Sequence, residues 1–175
     1  MTCPEDCPPT LRNVPSWLQP LTISTKSLDD ANGDAIGHNP GDGNLCPASA
    51  AWYKVTEDHA VYRAWNATYP PSAEGKWWSP NPVSGSISDY RRAEDLCLKY
   101  SSIDRLRVCQ IKKGTQVLLG NGQSAQCNQY FCYPGSDEIQ MFLPNDDPES
   151  ALYACTDNAD YFHWGPMPAS KGSVE

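Results

Sequence analysis

The chain has no apolar run approaching the roughly 20 residues that a membrane-spanning helix needs, so no helical crossing of a bilayer is expected. It also lacks cation clusters. No lysines or arginines group beyond the pairs Arg91-Arg92 and Lys112-Lys113, and the formal net charge is −8. Without a broad positive surface to neutralise phosphates, duplex nucleic acid is excluded as a natural partner and anionic membranes are disfavoured. Histidine is scarce and scattered: His38 lies in a glycine loop, His59 opens a strand and His163 sits among aromatics. No serine has the Gly-x-Ser-x-Gly setting that exposes a hydrolase nucleophile, so a Ser-His-acid triad is not expected. No apolar leader follows Met1, which meets Thr2-Cys3-Pro4 at once, as in a mature chain with an added starting methionine.

Cysteine, by contrast, is abundant. Cys3, Cys7, Cys46, Cys97, Cys109, Cys127, Cys132 and Cys155 form an even set of eight spread along the chain. The close spacings Cys3-x3-Cys7 and Cys127-x4-Cys132 have no histidine nearby, which argues against zinc, and a reducing compartment rarely keeps so many thiols free. Up to four disulfides and a secreted, extracellular protein are expected, with the pairing left open. The sequon Asn66-Ala67-Thr68 fits a secreted glycoprotein. Sixteen prolines, twelve glycines and nine tyrosines point to turns and short strands rather than long helices. The fold class is therefore α+β, loop-rich and disulfide-stapled, with few helices. A length of 175 residues predicts one domain. Within it, residues 1–47 read as an irregular arm and loop, 48–165 as the core and 166–175 as a flexible tail.

The organising stretch is Lys112–Pro144. It predicts strands over Thr115–Leu119 and Glu138–Leu143, joined by a polar, Gly-rich, cysteine-stapled loop. In the second strand Ile139, Met141 and Leu143 alternate with Glu138, Gln140 and Phe142, which places the two polar groups on one face, read as half-exposed. Upstream, His59–Trp65 is the best early strand, and Arg63 sits inside its apolar alternation. A guanidinium there is expensive to bury unless an anion or carboxylate meets it. Ala48–Val55 reads as a short helix or strand. Ser86–Tyr100 reads as an amphipathic helix through Tyr90, Ala93, Cys97 and Tyr100, followed by a strand over Leu106–Ile111. Trp77 and Trp78 end a loop and have the usual fate of tryptophan, core packing, as their alternative. Asp30-x-Asn32-x-Asp34 resembles the opening of a calcium loop, but Ala35 and Gly41 stand where glycine and glutamate are needed, so a surface loop is the better reading. The turn Gly122-Gln123-Ser124-Ala125 makes Gln123 and Ser124 candidates for cradling a phosphate, although no P-loop lysine follows.

The order of parts carries more than any one of them. An arginine in an early strand (Tyr62-Arg63-Ala64), the segment Trp77-Trp78-Ser79-Pro80, an amphipathic helix and a late strand with Glu138-Ile139-Gln140 follow one another over residues 59–144. This layout resembles the ADP-ribosyltransferase-like fold and its NAD glycohydrolase branch, typified by the tuberculosis necrotizing toxin domain and secreted fungal NADases. The resemblance implies a split β-sheet core and NAD as a small dinucleotide substrate, with no separate cofactor required. It implies Arg63 as the pyrophosphate anchor, Trp78 as a wall for nicotinamide or ribose, Ser79 as a supporting hydroxyl and Gln140 as the ribose-binding group. Where transferases of the Q/E-x-E type place a glutamate, this chain has Gln140, a neutral amide. That favours water over a protein acceptor and leaves Glu138 as the candidate for the charge. An ADP-ribosyltransferase, a non-enzymatic secreted binding or effector domain, and a small secreted ribonuclease remain the other readings.

Overall fold

The computed structural model describes residues 2–4, 6–21, 35–37, 39–82, 87–100, 103–143 and 151–158. Ten strands and one α-helix lie among them: β1 Leu18–Pro20, β2 Ala51–Val55, β3 His59–Trp65, β4 Trp77–Trp78, α1 Ile87–Ala93, β5 Arg105–Ile111, β6 Gln116–Asn121, β7 Ala125–Asn128, β8 Phe131–Tyr133, β9 Ile139–Phe142 and β10 Leu152–Asn158. Five strands form an antiparallel sheet in the order β1-β2-β6-β9-β4. A second antiparallel sheet runs β10-β5-β3, and β7 and β8 make a separate hairpin. The protein is thus a small α+β molecule dominated by sheet and rich in loops.

Alternation along the strands builds the core between the sheets. Val61 from β3 with Cys109 and Ile111 from β5 meets Val55, Val117, Leu119, Ile139 and Met141 from the larger sheet, and Leu143 and Trp78 join them. The intervening residues face away: Leu118 and Phe142 pack with Trp52, Leu45 and Ile36, while Ala64 and Leu106 pack with Tyr90 of α1. A period of two therefore gives each sheet two buried faces, one against the other sheet and one under a loop or helix.

All eight cysteines are paired, as Cys3–Cys132, Cys7–Cys46, Cys97–Cys127 and Cys109–Cys155. Such a set fits an oxidising, extracellular setting. Among the described residues no helix is long and apolar enough to cross a membrane.

Several expectations are corrected. The amino-terminal arm is not wholly irregular: Leu18–Pro20 pairs with β2, and Trp17 and Leu18 enter the core. Of the segment Ala48–Val55, read as a helix or a strand, Ala51–Val55 is the strand β2. The polar connection between β6 and β9 contains the β7–β8 hairpin. The helix expected to reach Tyr100 ends at Ala93. There Asp95 takes φ +50°, and Leu96 N–H bonds back to the Arg91 carbonyl at 2.9 Å. That is the six-to-one closure of a Schellman turn, with aspartate in the left-handed seat usually held by glycine. Asp30, Asn32, Asp34, His38, His163 and the tail lie outside the described residues.

Candidate functional site

The two sheets are stitched at one point. Tyr62 of β3 and Ser79, just past β4, exchange backbone hydrogen bonds of 2.9 and 2.8 Å. Beside this seam opens a cavity of about 630 Å³ whose wall includes Arg63, Trp77, Trp78, Tyr90, Glu94, Asp95 and Gln140. That size falls within the roughly 300–1,000 Å³ of small-molecule sites. Past Asp42 and Tyr100, which border both, an adjoining depression of about 480 Å³ carries Lys99.

Arg63 and Arg107 face each other across the β3–β5 ladder, and their fates differ. Arg107 is neutralised by Asp157 through two hydrogen bonds of 2.9 Å, the fork geometry guanidinium favours. Arg63 has no carboxylate partner among the described residues. Its Nε donates to the Ser72 carbonyl at 3.0 Å and its Nη1 to the Trp77 carbonyl at 2.9 Å. Burial, and secondarily the charge of Arg107, pulls its pKa below the ordinary value, with Tyr90 acting the other way. Gly75 makes this placement possible, because a Cβ there would lie 2.6 Å from the guanidinium carbon. Two backbone carbonyls hold the cation in place without cancelling its charge.

Across the cavity, Gln140 sits in β9 opposite Gly120. The expectation of a half-exposed polar face is overturned here: Gln140 is only 4% exposed, and its Nε2 has no hydrogen-bond partner. Asp95 is 3% exposed with both carboxyl oxygens unpartnered. A Cβ built on Gly122 would sit 2.2 Å from Asp95 Oδ2 and 2.7 Å from Gln140 Nε2. The acid and the amide are therefore neighbours occupying space that any side chain at Gly122 would need.

The Asp95 pKa is pushed up to about 9, mostly by burial and then by the charges of Glu94 and Asp6. Glu94 keeps some surface accessible along the cavity wall, yet burial of its carboxyl, followed by the charge of Glu138, pushes it up to about 8, with the nearby Ser79 hydroxyl acting the other way. Burial, and next Glu94, also raises the Tyr90 phenol. At neutral pH these acids hold their protons.

The other residues singled out in the sequence fall in several places. Trp78 borders the cavity but also belongs to the inter-sheet core, and its indole N–H donates to the Gly75 carbonyl at 2.9 Å. Trp77 gives the more accessible indole, edge-on to Phe142 at 5.0 Å. The Ser79 hydroxyl, itself buried, donates to the Asn81 carbonyl at 3.1 Å. Glu138 is exposed and precedes β9 instead of lying within it. Gln123 and Ser124 lie outside the cavity wall and tie loops together. Gln123 Oε1 accepts from Asn44 N–H at 3.4 Å. The Ser124 hydroxyl donates to the Pro4 carbonyl at 2.7 Å and accepts from Gly41 N–H at 3.1 Å.

Glu94 was missed because helical periodicity sets it on the outside of the expected helix, and Asp95 was not singled out. With the helix expected to run to Tyr100, nothing local marked these two acids as a helix end. No cluster of three or more metal-ligating side chains occurs among the described residues. No family model, curated protein or solved structure matches the chain.

Proposed function

We propose that the chain is a secreted NAD-consuming enzyme, an NAD glycohydrolase on an ADP-ribosyltransferase-like core, releasing nicotinamide and ADP-ribose. The observation that carries this reading is that Arg63 and Gln140, from different sheets, border one cavity, Gln140 with its Nε2 unpartnered and Arg63 held by two backbone carbonyls with no carboxylate among the described residues. A buried guanidinium without a carboxylate is a site for an anion, and the NAD pyrophosphate supplies one. Holding that group at Arg63 directs the nicotinamide ribose toward Gln140, whose amide donates to a ribose hydroxyl. Trp77 offers a flat apolar wall to the nicotinamide ring, and the depression beside Lys99 gives room for the adenosine half. Catalysis then comes from orientation and from stabilising the oxocarbenium that forms as the N-glycosidic bond breaks. A neutral amide on the late strand favours water as the acceptor.

The test is incubation of the purified protein with NAD, with chromatographic detection of nicotinamide and ADP-ribose. Arg63→Gln should raise the KM for NAD, and Gln140→Ala should lower kcat, both with melting temperatures close to wild type. Wild-type protein that leaves NAD intact would overturn the reading.

A further inference from the structure

Hydrolysis of an N-glycosidic bond places positive charge on the ribose, and neither the neutral Gln140 nor the exposed Glu138 meets it with charge inside the cavity. We infer that Asp95 is the catalytic carboxylate of this cavity and that, with Gln140, it clasps the nicotinamide riboside end of NAD in its oxidised, pyridinium form. The inference rests on the NAD reading above and extends it to a residue and to a charge state of the substrate.

Three independent observations support it. Both Asp95 oxygens are buried and unpartnered at the cavity wall, beside an equally buried and unpartnered Gln140 Nε2. Unsatisfied polar atoms at this depth are rare and costly, and a ligand presenting both donor and acceptor groups relieves them together. The cavity wall also carries both signs: among the described residues Arg63 is its arginine, and Asp42, Glu74, Glu94 and Asp95 are its acids. NAD brings two matching ends, an anionic pyrophosphate for Arg63 and a cationic ring whose approach favours the ionised form of Asp95. Finally, the Asp95 carboxyl and the Gln140 amide both lie against Gly122, which has no side chain to hold them apart.

In the reaction the C1′–N1 bond breaks and its electron pair stays on nitrogen, turning the pyridinium into neutral nicotinamide. A water oxygen bonds to C1′, and one of its protons passes to the Asp95 carboxylate and then to solvent. The balance is NAD in its pyridinium form plus water giving ADP-ribose, nicotinamide and one proton. Asp95 must be ionised to act. The groups bearing on it are Glu94 and Asp6, while Glu94 in turn feels Glu138 and the Ser79 hydroxyl. Because these neighbours favour the protonated acid, the free enzyme should become competent as pH rises toward 9, and the cationic ring should assist by favouring ionisation.

The experiment measures kcat and KM for NAD between pH 6 and 9.5 in wild type, Asp95→Asn, Asp95→Glu and Glu138→Gln, with circular dichroism as the folding check. A second readout is the binding of NAD and NADH by tryptophan fluorescence. Asp95→Asn should lower kcat by roughly 100-fold or more and remove the rising limb of kcat/KM, with partial rescue in Asp95→Glu. NADH, which lacks the ring charge, should bind wild type at least about tenfold more weakly than NAD, and Asp95→Asn should erase that preference. A wild type that hydrolyses NAD while Asp95→Asn stays within about threefold overturns the inference and leaves the NAD reading standing. So does loss of turnover in Glu138→Gln with Asp95→Asn still active. If Asp95→Asn does not fold, the wild-type profile decides, and a flat kcat/KM from pH 6 to 9 overturns the role. A wild type that neither binds nor cleaves NAD overturns both.

Discussion

Replacing Asp95 with asparagine should make the protein more stable at pH 8 and its stability less sensitive to pH. The folded-state pKa of Asp95 is raised from 3.8 to about 9. Between those values the native state holds a proton that the unfolded chain releases, so the stability linked to this group is complete below pH 3.8 and declines as pH rises toward 9. One such group changes stability by about 1.4 kcal/mol per pH unit, so the fall from pH 6 to pH 8 has a ceiling of about 3 kcal/mol. Asp95 borders a solvent-connected cavity, and the realised fall should be nearer about 1–2 kcal/mol, or roughly 3–6 °C in Tm for a chain of this size. Asparagine keeps the shape, does not titrate, and tolerates the left-handed backbone at this position. Thermal unfolding by circular dichroism at pH 6, 7 and 8, with the disulfides intact, reads the difference. Some slope should remain in the variant, because Glu94 still titrates near 8; Glu94→Gln combined with Asp95→Asn should remove most of it. The reasoning fails if Asp95→Asn loses as much stability from pH 6 to pH 8 as wild type, or melts below it at pH 8.

The two facing arginines should separate cleanly: Arg107→Gln, which breaks the half-exposed pair with Asp157 and the contact over the Trp65 ring at 5.6 Å, should cost about 0.5–1 kcal/mol and leave the KM for NAD unchanged. Arg63→Gln should raise that KM by tenfold or more, as measured by initial rates. Gly122→Ala forces a methyl to within 2.2 Å of Asp95 Oδ2. It should lower Tm by an amount equivalent to about 1–3 kcal/mol and reduce turnover further than that loss of folded protein explains; equal turnover per folded molecule would show that the Asp95–Gln140 spacing is irrelevant.

How much of this was legible in the sequence varied with how local the cause was. β3 matches its predicted bounds because alternation over His59–Trp65 is a local signal, and the facing of Ile139, Met141 and Leu143 toward the core follows from the same period. The helix failed at Asp95 because the spacing of Cys97 and Tyr100 continued the pattern while the chain itself turned, drawing Cys97 into its bond with Cys127. Arg63 could be named from its place among apolar neighbours, yet its lack of a carboxylate depends on where Asp157 goes, 94 residues later in the chain and committed to Arg107. Gln123 and Ser124 have the composition of a phosphate-cradling turn. What they hold instead is the protein's own arm, because Pro4 and Gly41 arrive there through contacts 120 and 83 residues apart in sequence. The exposed placement of Glu138 and the burial of Asp95 are likewise set by long-range packing.

The bond between Cys97 and Cys127 fastens the turn bearing Glu94 and Asp95 to the β7–β8 hairpin. Cys97 is fully enclosed, so an external thiol has only the sulfur of Cys127 to attack. In a reducing solution that wall of the cavity should therefore come loose no faster than a thiol reaches Cys127.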